Sequence, residues 1–126
     1  SPMLLDPRRD YLLRCDRVDF PPGGVAFTHT HAGAGTRCVL FGDIRIHCLG
    51  AEHAYGPLAP WFEAGADPVF AAASATVPTA FARVMILPRE LLGRSSISYV
   101  NPDDVNKPKS QNYQVFLDQP VELPAC

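Results

Sequence analysis

The chain has 126 residues, 47% of them hydrophobic, which suits one domain with a sizeable core and leaves little room for a second. Eleven basic and thirteen acidic side chains give a net charge of −2, and neither sign clusters, so neither nucleic acid nor an anionic membrane is an expected partner. No apolar run approaches the roughly 20 residues that span a bilayer.

The start, Ser1-Pro2-Met3, lacks the basic and then apolar layout of a secretion signal and reads as a cloning remnant ahead of Met3. Four cysteines, at 15, 38, 48 and 126, form no Cys-x-x-Cys pair. Their spacing does not ask for a disulfide framework, and a reducing, cytoplasmic setting is the simpler expectation. Cys126, the last residue, is expected to fray.

Thirteen prolines and nine glycines cut the chain into short pieces, which favours strands. Tyr11–Phe20 reads as a strand with Leu12, Leu13, Val18 and Phe20 as apolar members, broken by Pro21-Pro22-Gly23-Gly24. Val25–His31 is a second strand, then a small-residue loop at 32–35, a strand at 37–41 and a turn at Gly42-Asp43. Residues 44–49 alternate, with Ile44 and Ile46 on one face and Arg45 and His47 on the other, the pattern of a half-buried strand. Residues 50–60 read as a turn, Trp61-Phe62-Glu63 as a short strand and 65–68 as another turn. Strands are expected at 69–76 and 79–87, the latter interrupted by Arg83. A short helix at 89–92 is closed by Gly93, and residues 95–100 resume as strand. Residues 101–112 form a polar loop, with Lys107 and Lys109 facing solvent, before closing strands at 113–117 and 121–123. Many short strands with regular turns predict an all-β fold, a single antiparallel β-barrel or jelly roll.

His29 and His31 are two apart on a predicted strand, so both imidazoles share one face, together with Phe27. Neutral imidazoles are good ligands for zinc, iron, nickel, copper and manganese. Further ligands must come from elsewhere, and His47, His53, Glu63 and Asp67 are the candidates by type. The competing reading is a pair of surface or hydrogen-bonded histidines on a strand edge.

These residues give the chain a resemblance to the cupin superfamily. The first cupin motif runs from a glycine through His-x-His and a glutamate to a second glycine; Gly23, His29, His31 and Gly42 fall in register. Gly35, with Thr36 next to it, takes the glutamate's place. The second motif, Pro-x-Gly-x-x-His, meets Glu63-Ala64-Gly65-Ala66-Asp67-Pro68, which keeps only the glycine and puts Pro68 where a histidine ligand belongs. The resemblance spans about Phe20 to Leu87. It implies a cupin-like double-stranded β-helix, one domain over 1–126 with its core at about 20–100 and a C-terminal extension at 101–126. It also implies a homodimer, and a metal site of the kind that supports dioxygenase, isomerase or decarboxylase activity. Two of the usual four ligands carry over.

Glu63 is the best compensating ligand, giving a site of His29, His31 and Glu63 for a divalent ion such as Zn, Fe, Mn or Ni. His31 or Glu63, where free of metal, serves as the catalytic base. Arg37 lies two residues beyond the lost glutamate, and its guanidinium suits a small anionic ligand, an organic acid. The competing reading pairs it with Glu63 or Asp43. Arg83 is either a second pocket charge or an outward residue. Trp61, with Phe62 and Phe70, lines the pocket rim or belongs to the core. Two functions follow: a metal-dependent cupin, possessing or lacking catalysis, and a metal-free binding module for an anion. No phosphate loop, calcium loop, nucleophile elbow or zinc finger is present.

Overall fold

The computed structural model describes residues 5–122; Ser1-Pro2-Met3, Leu123 and Cys126 lie outside the described residues. Ten strands follow in chain order: β1 (Tyr11–Phe20), β2 (Val25–His31), β3 (Gly35–Phe41), β4 (Ile44–Cys48), β5 (Ala51–Tyr55), β6 (Pro60–Glu63), β7 (Val69–Ala73), β8 (Thr79–Pro88), β9 (Ile97–Tyr99) and β10 (Asn112–Val121). They build two five-stranded sheets, ordered β10-β1-β8-β3-β6 and β5-β4-β7-β2-β9, with every pairing antiparallel. The all-β, antiparallel expectation holds.

Strand alternation decides what each sheet turns inward. On β1 the even positions Leu12, Val18 and Phe20 are buried, and so are the charged Arg14 and Asp16 between them. The main core sits between the sheets, with Val18, Phe20, Val39 and Phe81 from one meeting Ile44, Ile46, Val69 and Ala71 from the other. A second cluster of Leu12, Met85 and Leu87 packs with Leu91. The β3–β4 turn needs its glycine: Gly42 has φ of +78°, and a Cβ there would lie 2.5 Å from the Pro78 carbonyl oxygen.

Three expectations are corrected. Residues 51–55, expected in a turn, form β5 and pair with β4 from Ile44↔Tyr55 to Cys48↔Ala51. The intervening Leu49-Gly50 both have positive φ, 52° and 78°, the backbone a tight two-residue hairpin demands. The two closing strands are one strand, β10, kinked by a register shift opposite Cys15/Asp16. Pro120 fits within it because β10 is an edge strand and no ladder bond is lost on its free side. The helix at 89–92 is a single 3-10 turn, Arg89–Leu91. β1 lies inside its sheet and pairs with both β8 and β10. No helix among the described residues is long and apolar enough to cross a membrane.

Candidate metal centre and ligand pocket

A bulge sets the histidine pair. Ala26 pairs with Ala71 and His29 with Val69, so three steps along β2 match two along β7. The extra residue reverses the alternation. Ala26 joins the core, and then His29 and His31 face inward at 5% and 8% exposure. Phe27, expected on the same face, turns away instead. Lys107 and Lys109 close over its ring, their ammonium groups 5.2 and 5.8 Å from the centroid. The lysine pair expected in solvent thus covers an aromatic face.

The two imidazoles meet edge to face, 4.8 Å between centroids. His29 Nδ1 lies 2.6 Å from the Phe27 carbonyl oxygen, so Nδ1 donates and Nε2 keeps its lone pair. His31 Nδ1 lies 3.1 Å from Ser96 Oγ, whose hydroxyl points on to Met85 Sδ. Ser96 therefore accepts from His31, and His31 Nε2 is also left as an acceptor. The His31 amide donates to the Gly65 carbonyl, which ties the end of β2 to the turn after β6.

The carboxylate arrives from across the sheet. A Cβ on Gly35 would lie 2.7 Å from Met85 Cγ and 3.1 Å from Arg37 Nη1, so no side chain fits there. Arg37 fills that space and donates from Nη1 to the Gly35 carbonyl oxygen at 2.8 Å. Gly35 pairs directly with Glu63 on β6, and Glu63 turns the same way. Its Oε2 accepts from Trp61 Nε1 at 2.8 Å. Its Oε1 is buried without a hydrogen-bond partner, 3.9 Å from His31 Nε2 and 3.4 Å from Arg37 Nη2. Ligand atoms of His29, His31 and Glu63 all lie within 4.8 Å of one another. Two neutral imidazoles and a carboxylate suit a first-row divalent ion, and an orphaned acceptor facing them is a group such an ion would satisfy. The residues fit a metal.

Electrostatics keep both histidines neutral. Burial pushes His29 below its ordinary pKa, against the opposing pull of the Phe27 carbonyl. Burial, then the Arg37 and Arg83 guanidiniums, pushes His31 down to about 2. The approach of His31 to Glu63 is therefore a contact between an imidazole and a carboxylate, not an ion pair.

Two spaces meet at Glu63. An inner cavity of about 20 Å³ is lined by His29, His31, Arg37, Glu63 and Arg83 and holds a water-sized guest. A pocket of about 680 Å³ opens on its far side, bounded by Tyr55, Trp61, Phe62, His53 and Asp67. Glu63, Trp61, Ile46 and Val69 line both and form the wall between them.

The other candidates divide. His53 and Asp67 line the larger pocket, away from the histidine pair. His47 is exposed, 3.3 Å from Glu52. Trp61 is both core and wall: it is 7% exposed, stacked on Tyr55 and bonded to Glu63. Arg37 is 1% exposed and meets Glu63 through one long contact, not a bidentate pair. Arg83 faces inward, held by Asp16 through two bonds of 2.7 and 3.0 Å. Asp16 and Ser96 escaped the sequence reading. Asp16 was visible in principle, since it shares even parity with Leu12, Val18 and Phe20; Ser96 gave no signal.

No protein-family model and no curated protein matches the chain. Solved structures do. A sugar phosphate isomerase of the cupin superfamily from Silicibacter pomeroyi is 21% identical, with a TM-score of 0.50 over 58% of this chain and 49% of that one. An oxalate oxidase in complex with the substrate analogue glycolate is 16% identical, with a TM-score of 0.58 over 70% and 46%. The polyketide cyclase RemF from Streptomyces resistomycificus is 18% identical, with a TM-score of 0.56 over 79% and 68%. The chain spans about half the length of the isomerase (49%) and oxidase (46%) chains. The likeness carries the fold: two antiparallel sheets arranged as in cupin superfamily proteins.

Proposed function

We propose that this cupin fold holds a divalent metal on His29, His31 and Glu63 and binds a small organic ligand in the adjoining pocket, as a metal-dependent small-molecule enzyme. The observation that carries the reading is Glu63 Oε1, a buried acceptor with no hydrogen bond, set beside the lone pair of His31 Nε2. Bound there, the metal supplies Lewis acidity or an activated water. The donor set admits Zn, Fe, Mn or Ni. Trp61 fixes the rotamer of Glu63, and Phe27 and Ser96 fix the imidazole tautomers. Ile46, Val69 and Trp61 give the inner cavity an apolar wall. Glu63 stands first in the path of a ligand arriving from the 680 Å³ pocket and serves as the base when it is not a ligand to metal; His31 is the second such group. Arg37 favours a ligand with an anionic end, whereas Arg83, the other candidate, is already held by Asp16.

The second reading is a metal-free module that binds an anion. It is favoured by Arg37 Nη2, 3.4 Å from the oxygen that would ligate the metal. Elemental analysis of protein purified without an affinity tag separates the two. Near-stoichiometric metal, lost in the joint His29→Ala/His31→Ala variant, is expected. No metal in the purified protein, and none taken up from added Mn2+ or Zn2+, overturns the first reading in favour of the second.

We further propose that the two sheets close as a jelly-roll barrel in one domain and that the chain forms a homodimer. The free edge of β10, with exposed Val115, Phe116 and Leu117, offers the surface for the dimer. Sedimentation velocity reads the mass directly, and a monomer at micromolar concentration overturns it. Cys15, Cys38 and Cys48 are free thiols, in keeping with a cytoplasmic setting.

A further inference from the structure

The inner cavity is electrically balanced before any ion enters it. The Arg83 guanidinium is matched by the Asp16 carboxylate and the Arg37 guanidinium by Glu63. All four side chains are at most one-tenth exposed. His29 and His31 each commit Nδ1 to a neighbour, the Phe27 carbonyl oxygen and Ser96 Oγ, and bring no acidic group to offset a cation. A divalent cation on His29, His31 and Glu63 would therefore leave two uncompensated positive charges in an enclosed, poorly hydrated space, which is strongly unfavourable. It would also draw Glu63 away from Arg37, whose Nη2 has only the Met85 thioether, at 3.9 Å, as a hydrogen-bond acceptor.

We infer that the site takes up its divalent ion together with a small carboxylate, held beside the ion by Arg37, so that metal and carboxylate bind cooperatively. This rests on the metal reading above. A carboxylate matches the donors on offer. Its two oxygens suit the planar guanidinium and a metal at once. The rest of the ligand extends past Glu63 into the 680 Å³ pocket, so the class is an organic acid whose carboxylate enters first. Arg37 sets this requirement because it fills the space beside Gly35, which has no side chain. Its charge makes the metal alone a poor occupant.

The test uses the whole chain, stripped of metal, with Mn2+ titrated calorimetrically and by the loss of the free-ion electron paramagnetic resonance signal. Sodium formate is compared with sodium perchlorate at equal ionic strength. Mn2+ is expected to bind about tenfold or more tightly in formate. By linkage, formate must bind Mn2+-loaded protein more tightly than stripped protein by the same factor. In Arg37→Gln the formate effect should fall below about twofold while Mn2+ alone binds more tightly than in the parent chain. Should that variant not fold, the two reciprocal titrations of the parent chain decide the matter. Mn2+ affinity indifferent to formate overturns the coupling and leaves the metal reading standing. No Mn2+ binding in either salt overturns both. Coupling that survives in Arg37→Gln overturns the role given to Arg37.

Discussion

Arg37 and Arg83 are direct cross-strand neighbours on β3 and β8, both buried and both facing a carboxylate, yet they are held in different ways. Arg83 is closed off: Asp16 takes two of its donors at 2.7 and 3.0 Å, and the Tyr113 ring lies 5.4 Å from its guanidinium carbon. Arg37 is open: one bond to a carbonyl, one long approach to Glu63, and a thioether. The closed pair is a finished piece of architecture, with both charges neutralised by good geometry. The open pair leaves a carboxylate oxygen and a guanidinium arm with capacity to spare, next to two imidazole lone pairs. In a buried network, that spare capacity is what a ligand uses.

The contrast can be broken most directly at Asp16. Asp16→Ala strands the buried Arg83 charge, and chemical denaturation should register a loss of about 3–5 kcal/mol. Glu63→Gln should cost the fold less, because it removes one 3.4 Å contact to Arg37 rather than a bidentate pair and the amide keeps an oxygen acceptor there; equal losses would erase the distinction. Acid comes next. In chelated protein, His31 stays neutral down to a pKa of about 2 while the unfolded chain takes up the proton near 6.5. The unfolded state then binds more protons, so the stability from the neutral imidazole is complete above that value. It declines as the pH falls, by about 1.4 kcal/mol per unit. His29 adds to this in the same direction. Denaturation midpoints measured from pH 7 to 4.5 should fall throughout, and a flat profile would mean that the imidazoles are solvated. Trp61→Phe keeps an aromatic side chain but loses the pyrrole part of the indole and with it the donor to Glu63 Oε2. It should weaken Mn2+ binding about 10- to 100-fold, with a stability loss of about 1–2 kcal/mol from the smaller ring. Lys109→Ala, outside the site, removes the ammonium 4.7 Å from the Tyr99 ring and should cost roughly 1 kcal/mol without touching metal affinity.

What the sequence made legible follows from how local each signal is. Alternation and turn residues located most strands, because period-two patterning and Pro/Gly breaks are written within a few residues. β5 was hidden since Ala-Glu-His-Ala-Tyr has no alternating face and Leu49-Gly50 lacks the Asn-Gly or Asp-Gly signature of its turn. The His-x-His spacing put two imidazoles on one face, but which other residues share that face depends on a bulge against β7, and Phe27 was misassigned for that reason. Glu63 was legible as a residue type near the second motif. Its reason for standing there, the pairing with Gly35, is a matter of register between strands that no window of sequence contains. The partnership of Arg83 with Asp16, 67 residues apart, was hidden by the same distance.

Gly35 has a consequence for how such a chain can change. Putting a glutamate back at that position takes more than one substitution, because its Cβ would already collide with the Val84 carbonyl at 2.5 Å and with Met85 Cγ at 2.7 Å. Arg37 and Met85 would have to shrink and the backbone at Val84 would have to move in the same step, and Glu63 would then lose its reason to face inward. Each change alone leaves either a clash or a buried charge without a partner. The present arrangement is thus separated from a four-ligand centre by several coupled changes, including a shift of the β8 backbone, which no single substitution supplies.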